Sequence, residues 1–163
     1  MKLMLKPAKL GQYTRSTLHH SLYVLWALPV SIWSIFLLPL AIVQGRWQVR
    51  AGVLEVSSPG LCFFLRGPCF RILAGDSGFA AATIGHVVIA RDASAMASCR
   101  AHEHTHVRQC ERWGVLFPLV YVVAGFWAAI SARHWASFYC ENPFELEAER
   151  VSSEVARATC KQV

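Results

Sequence analysis

Hydrophobic and polar positions change character several times along this chain. Residues 1–20 are polar and basic. From Ser21 to Val43 the run SLYVLWALPVSIWSIFLLPLAIV carries no charge, a length that suits one bilayer crossing. Tyr23, Trp26 and Trp47 stand near its ends, as an aromatic belt would. Pro29 and Pro39 fit a membrane helix better than a straight soluble one. No small-residue cleavage site follows, so the pattern predicts an uncleaved anchor. A buried core helix and a kinked hairpin entering one leaflet are the other readings of this run. Arg46, Arg50 and Arg66 follow it, so the basic bias that places the N-terminus in the cytoplasm is slight.

From Trp47 to Ala90 short β-like runs alternate with Gly and Pro. Val53–Val56, Leu61–Leu65 and Phe70–Leu73 are expected strands, with Arg66-Gly67-Pro68 a turn between the last two. Thr83–Ala90, TIGHVVIA, is the best strand candidate. As an edge strand it could hold an extended peptide by main-chain pairing. Asp92 or Ser94 then caps a helix that should run to Trp113 and stop at Gly114. Val115–Ile130 is a second apolar run, short for a crossing, read as a helix packed on its predecessor or dipping into the bilayer interface. Finally Asn142-Pro143-Phe144-Glu145 opens a helix, with Asn142 as N-cap and Pro143 in first position. Phe144, Ala148, Val151 and Val155 line one of its faces.

Composition reinforces the membrane reading. The 163 residues are 55% hydrophobic and 16% charged, with a mean hydropathy of +0.36, more apolar than an ordinary soluble domain. Lys2, Lys6, Lys9 and Arg15 supply four of the net +6 charges. A basic arm before an apolar run suits anionic lipid. No nucleic-acid signature is present, so nucleic acid is not an expected partner. The six cysteines match no zinc-ribbon or disulfide spacing. Cys62 and Cys69 could meet across a hairpin, but free buried thiols are the simpler reading.

Chemistry is concentrated in His102-Glu103-His104-Thr105-His106, an H-E-x-x-H pattern. On a helix His102 and His106 lie one turn apart on one face, so both imidazoles can reach one metal ion. Glu103, rotated about 100° from His102, falls beside the metal, where it can take a proton from a water. Cys99 and Cys110 share the stripe but lie too far apart to join both histidines on one ion. His104 projects from another face, and Glu147 is expected to pair with Arg150. His86 could point at the site, though a strand histidine is more often a simple polar-face residue. A catalytic zinc needs a third protein ligand. Glu145, with Glu149 one turn on, is the candidate, but a Glu in the third helical position is equally a capping residue.

RAHEHTHVRQCERWG followed by YCENPFELEAER resembles small membrane-associated bacterial proteins with a zincin-like pattern. More broadly it resembles gluzincin metallopeptidases, including the integral-membrane proteases of the CAAX-prenyl and heat-shock type. There H-E-x-x-H is followed by E-x-x-A-D on a later helix; here Glu145-Leu146-Glu147-Ala148-Glu149 has Glu149 at the Asp position. The resemblance covers roughly residues 83–157. It implies His102, His106 and Glu145 as zinc ligands, Glu103 as general base and Glu149 as an outer group orienting a histidine. Gln109 is a further outer-shell candidate on the same stripe.

The expectation is therefore an α+β, minimal zincin-like domain behind an N-terminal apolar membrane helix: a basic arm (1–20), an anchor (21–46) and a catalytic domain (47–163). Its expected activity is zinc-dependent hydrolysis of a protein or peptide, membrane-proximal, at the bacterial inner membrane. Tyr139 and His134 are the candidate donors to the oxyanion. A catalytically silent metal-binding scaffold, or a metal sensor recruiting Cys99 or Cys110, is the rival.

Overall fold

The computed structural model describes residues 17–32, 34, 36, 45–67 and 78–160. Helix α1 (Thr17–Ile32) precedes a hairpin of β1 (Arg46–Arg50) and β2 (Val53–Ser57). Then come helix α2 (Pro59–Leu65), a second hairpin of β3 (Ala81–Ile84) and β4 (Val87–Ala90), and the long helix α3 (Ala93–Trp113). A 3₁₀ turn (Gly114–Leu116) leads into α4 (Phe117–Ala132), followed by the short α5 (Ser137–Cys140) and α6 (Pro143–Cys160). The class is α+β, as expected.

The four strands form one mixed sheet in the order β1-β2-β4-β3, with β2 and β4 parallel and both outer pairs antiparallel. Its register sets Val56 beside Ile89 and Thr83 beside Val88. Both faces of β4 are covered, which is why it reads VVIA with no polar alternation. Val88 and Ala90 meet Ala95, Met96 and Val107 of α3 on one side. Val87 and Ile89 meet Leu61 and Leu65 of α2 on the other.

Two expected strands are different objects. Leu61–Leu65 is helical, not extended. The Ser58 hydroxyl accepts from Gly60 N, Pro59 occupies the first position, and Leu61 and Leu65, one turn apart, are both fully buried. An unbroken apolar run of that length fits either state. TIGHVVIA is not one strand but a hairpin folded at Gly85-His86, because Gly85 takes φ +64° and glycine supplies that conformation without strain. Phe70–Leu73 and the Cys62–Cys69 pairing lie outside what is described.

Helix termini follow the sequence closely. Asp92 caps α3 by accepting from Ala95 N at 2.7 Å. Asn142 accepts from Phe144 N at 3.1 Å to start α6.

Much of the expected crossing from Ser21 to Val43 lies outside the described residues, and its described part is α1. That helix is docked rather than free: Ala27 is buried against Cys110 and Phe117, and the Ser31 hydroxyl accepts from His86 N at 3.0 Å. Among the described residues, the run long and apolar enough to cross a membrane lies mid-chain. It is Ala93–Ala132, whose most apolar window has a mean hydropathy of 2.0 and is 22% buried.

Candidate metal centre

The flank of α3 that faces β3 and α6 carries His102, Glu103 and His106. One helical turn brings the two imidazole Nε2 atoms to 3.1 Å. The first turn of α6 delivers Glu145 opposite them. Its Oε2 lies 3.2 Å from His102 Nε2 and its Oε1 3.3 Å from His106 Nε2. Metal–nitrogen and metal–oxygen bonds near 2.0–2.1 Å, at tetrahedral angles, place ligand atoms about 3.3 Å apart. Each observed distance matches that spacing, with Oε2 of Glu145 toward His102 and Oε1 toward His106. These are the described residues whose grouping could hold a metal ion.

Glu145 was open to two readings from the sequence, ligand or capping residue. The Asn142 backbone N–H, which a capping glutamate would take, donates instead to the Tyr139 carbonyl at 3.2 Å. The Glu145 carboxylate is turned to the histidines. Burial works to raise its pKa, but hydrogen bonds from His102, His106 and Tyr121 outweigh it and hold the carboxyl well below the usual range. It is charged.

Gln109 settles a tautomer. Its amide nitrogen donates to Phe144 O and to Glu147 Oε2, both at 3.0 Å, so its Oε1 faces His106 Nδ1 at 2.8 Å. A proton of His106 therefore sits on Nδ1, and Nε2 is the atom turned toward Glu145 and the site. Glu147, expected to pair with Arg150, is occupied here. Glu149 is looser, with Oε2 3.8 Å from His102 Nδ1 and a mostly exposed side chain.

Glu103 is 5% exposed, and burial raises its pKa against the pull of His106 and Thr83. The Thr83 hydroxyl on β3 donates to its Oε2 at 2.7 Å. Strand, base and ligands open on one cavity of about 490 Å³ whose wall is otherwise apolar.

The two expected oxyanion donors part company. Tyr139 lines the cavity. Burial, the Glu145 charge and a hydrogen bond to Glu145 push its phenol upward, so it stays a protonated donor. His134 does not reach the cavity. It lies exposed in the turn between α4 and α5, where its Nδ1 accepts from Ala136 N at 3.2 Å, because Arg133 ends α4 in the left-handed conformation and turns the chain away.

Other chemistry-bearing residues fall elsewhere. His104 meets Glu55 of β2 at 2.7 Å, and His86 faces Glu111 at 3.4 Å, away from the site. Cys99 packs with the sheet-facing core. Cys110 borders the cavity without joining the ligand group. Sequence reasoning missed Thr83 and Tyr121, whose hydroxyl donates to Glu145 Oε1 at 2.6 Å. Tyr121 had a signal: it is the one hydroxyl in the apolar run Val115–Ile130.

No family model, curated protein or solved structure matches this chain.

Proposed function

We propose that this protein is a membrane-associated, zinc-dependent peptidase with His102, His106 and Glu145 as ligands and Glu103 as general base. One observation carries the reading. Two imidazole nitrogens and a charged carboxylate converge at 3.1, 3.2 and 3.3 Å, beside a buried carboxylate that joins none of them. Two nitrogens and one oxygen form a donor set that suits zinc and leaves a position for water.

Zinc, when bound, supplies Lewis acidity and lowers the pKa of its water toward 7. The chain's own groups do the rest. Thr83 holds Glu103 so that its carboxylate faces the attacking water. Glu103 takes the water's proton as the carbonyl is attacked and passes it to the leaving amine. Tyr139 is the donor for the developing oxyanion. Edge strand β3, which carries Thr83, offers main-chain groups to an extended substrate. The apolar face of α4, with Leu119, Val123, Trp127 and Ile130 each more than half exposed, supports contact with lipid. The 21–46 segment is the proposed anchor, and the bacterial inner membrane the proposed location.

The test is bound zinc per chain, by elemental analysis of the detergent-purified protein, together with cleavage of a peptide mixture. One zinc is expected in the parent and in Glu103→Gln, and sharply less in Glu145→Ala. Glu103→Gln should lose about 10²–10⁴-fold in cleavage while keeping its metal. A parent without zinc after metal loading, or a fully active Glu103→Gln, would overturn the reading. Bound zinc with no cleavage by the parent would leave a metal-holding binding protein.

A further inference from the structure

Tyr121 sits where no motif places a residue. It lies on the inner face of α4, a helix that carries no charge, and its phenol donates to Glu145 Oε1 at 2.6 Å. That geometry is braced from several sides. Asn142, fully buried, caps α6 with its side-chain oxygen and donates its amide nitrogen to the Tyr121 carbonyl at 3.2 Å. One residue thus ties the backbone of Tyr121 to the helix that carries Glu145. The ring stacks on Phe144 at 6.2 Å and meets Phe117 edge-on at 5.9 Å. Rotating the phenol away would break this packing and leave Glu145 Oε1 without that donor.

A carboxylate facing a metal has two modes. Both oxygens can bind, which fills an extra coordination position, or one can bind while the other is held elsewhere. Which mode prevails is set by partners outside the ligand set, since those partners orient the ligand and tune its donor strength. Here the two oxygens of Glu145 differ in their surroundings: Oε1, 3.3 Å from His106 Nε2, receives the Tyr121 hydrogen bond, whereas Oε2 lies 3.2 Å from His102 Nε2.

We propose that Tyr121 is a positioning residue that restrains Glu145 to one-oxygen ligation, so that a coordination position stays open for water or a carbonyl. The inference rests on reading His102, His106 and Glu145 as the metal ligands. It gives α4 a role beyond its outer face, because the helix contributes the group that sets how Glu145 binds.

Cobalt(II) in place of zinc makes the coordination number visible. Four-coordinate cobalt absorbs strongly in the visible range, and five- or six-coordinate cobalt weakly. The full chain in detergent is loaded with one equivalent of cobalt and compared with Tyr121→Phe, which keeps the ring and removes only the hydroxyl. The parent should give the intense four-coordinate spectrum. Tyr121→Phe should bind cobalt with about tenfold weaker affinity and show a several-fold weaker band. Phe117→Leu, which disturbs the same aromatic cluster without touching the hydrogen bond, should keep the parent spectrum. Identical spectra for parent and Tyr121→Phe overturn the proposal, as does an equal change in Phe117→Leu, which would make it a packing effect. A parent that binds no cobalt instead removes the ligand assignment beneath it.

Discussion

Glu55 carries a negative charge into a position that is 1% exposed, between β2 and α3. Burial alone would raise its pKa. Arg100, bonded to both oxygens at 3.0 and 3.1 Å, and His104 at 2.7 Å outweigh that and bring the carboxyl below its ordinary value of about 4.5. Gln48 adds a donor at 2.6 Å. Arg100 and His104 lie one turn apart on α3, on the flank away from His102 and His106. The cluster therefore fixes the rotation of the helix that presents the candidate metal site. Because the folded pKa is depressed, the stabilisation is present above the unfolded value and is lost as pH falls through the folded one. Glu55→Gln is expected to cost about 3 kcal/mol at pH 7, measured by urea unfolding. The gap between parent and variant should shrink below pH about 4.5; a gap that widens there would contradict this. None of it was legible in the sequence, where Glu55 is one acid in VLEVS and its partners lie 45 and 49 residues on. His102, Glu103 and His106 were legible because their spacing is helical and local, whereas Glu145 stood open between ligand and cap and was singled out only by the resemblance. Tyr121 and Thr83 were not legible, because their role comes from a tertiary approach that no local period encodes.

Elements were readable in proportion to their punctuation. The α3 and α6 starts were set by Asp92 and Asn142, side chains that satisfy helix-end N–H groups whatever the tertiary context. Where punctuation was ambiguous, tertiary packing decided, and α2 and the β3–β4 hairpin were both misassigned. Gly85 was the unread mark in the second case. Its φ of +64° makes the turn, and a Cβ there would lie 2.2 Å from Ser31 Oγ and 2.7 Å from Ser31 N. Gly114 at the end of α3 plays the same part, since a Cβ there would strike the Trp26 indole at 2.0 Å. Two glycines thus form the seat of α1, and α1 in turn contributes Val30 to the cavity wall. Gly85→Ala should cost more than the 1–2 kcal/mol of a left-handed alanine alone, because α1 must also move. Limited chymotrypsin digestion in detergent should then cut near Trp26 in Gly85→Ala and spare the parent. Equal protection of both would mean that α1 is held without that contact.

For the molecule as a whole, the mid-chain apolar helix raises a question of solvent. Trp127 and Ile130 are 74% and 72% exposed, with Val123 at 59% and Leu119 at 63%, and no charge interrupts α4. Helix α1 adds Leu25 at 66%. In water a surface of this kind drives association, whereas lipid removes the penalty. Pro118 and Val122 are exposed members of the same helix and also line the cavity. The cavity rim is therefore continuous with the apolar face, and the proposed substrate, if it left lipid along α4, would meet Glu103 and the proposed ligands. Binding to vesicles alone does not test this, because the proposed 21–46 anchor would hold the chain there by itself. Trp127 gives a local probe. Full-length protein is reconstituted in vesicles whose acyl chains carry bromine, and its fluorescence is compared with that of Trp127→Phe, a substitution that keeps an aromatic ring. If α4 lies in lipid, the emission lost in Trp127→Phe is the part that bromine quenches and aqueous acrylamide does not reach. If that emission is quenched by acrylamide and spared by bromine, α4 faces water and lipid is not its solvent. If neither agent reaches it, a protein surface covers the helix, and a second copy of the chain becomes the covering to test.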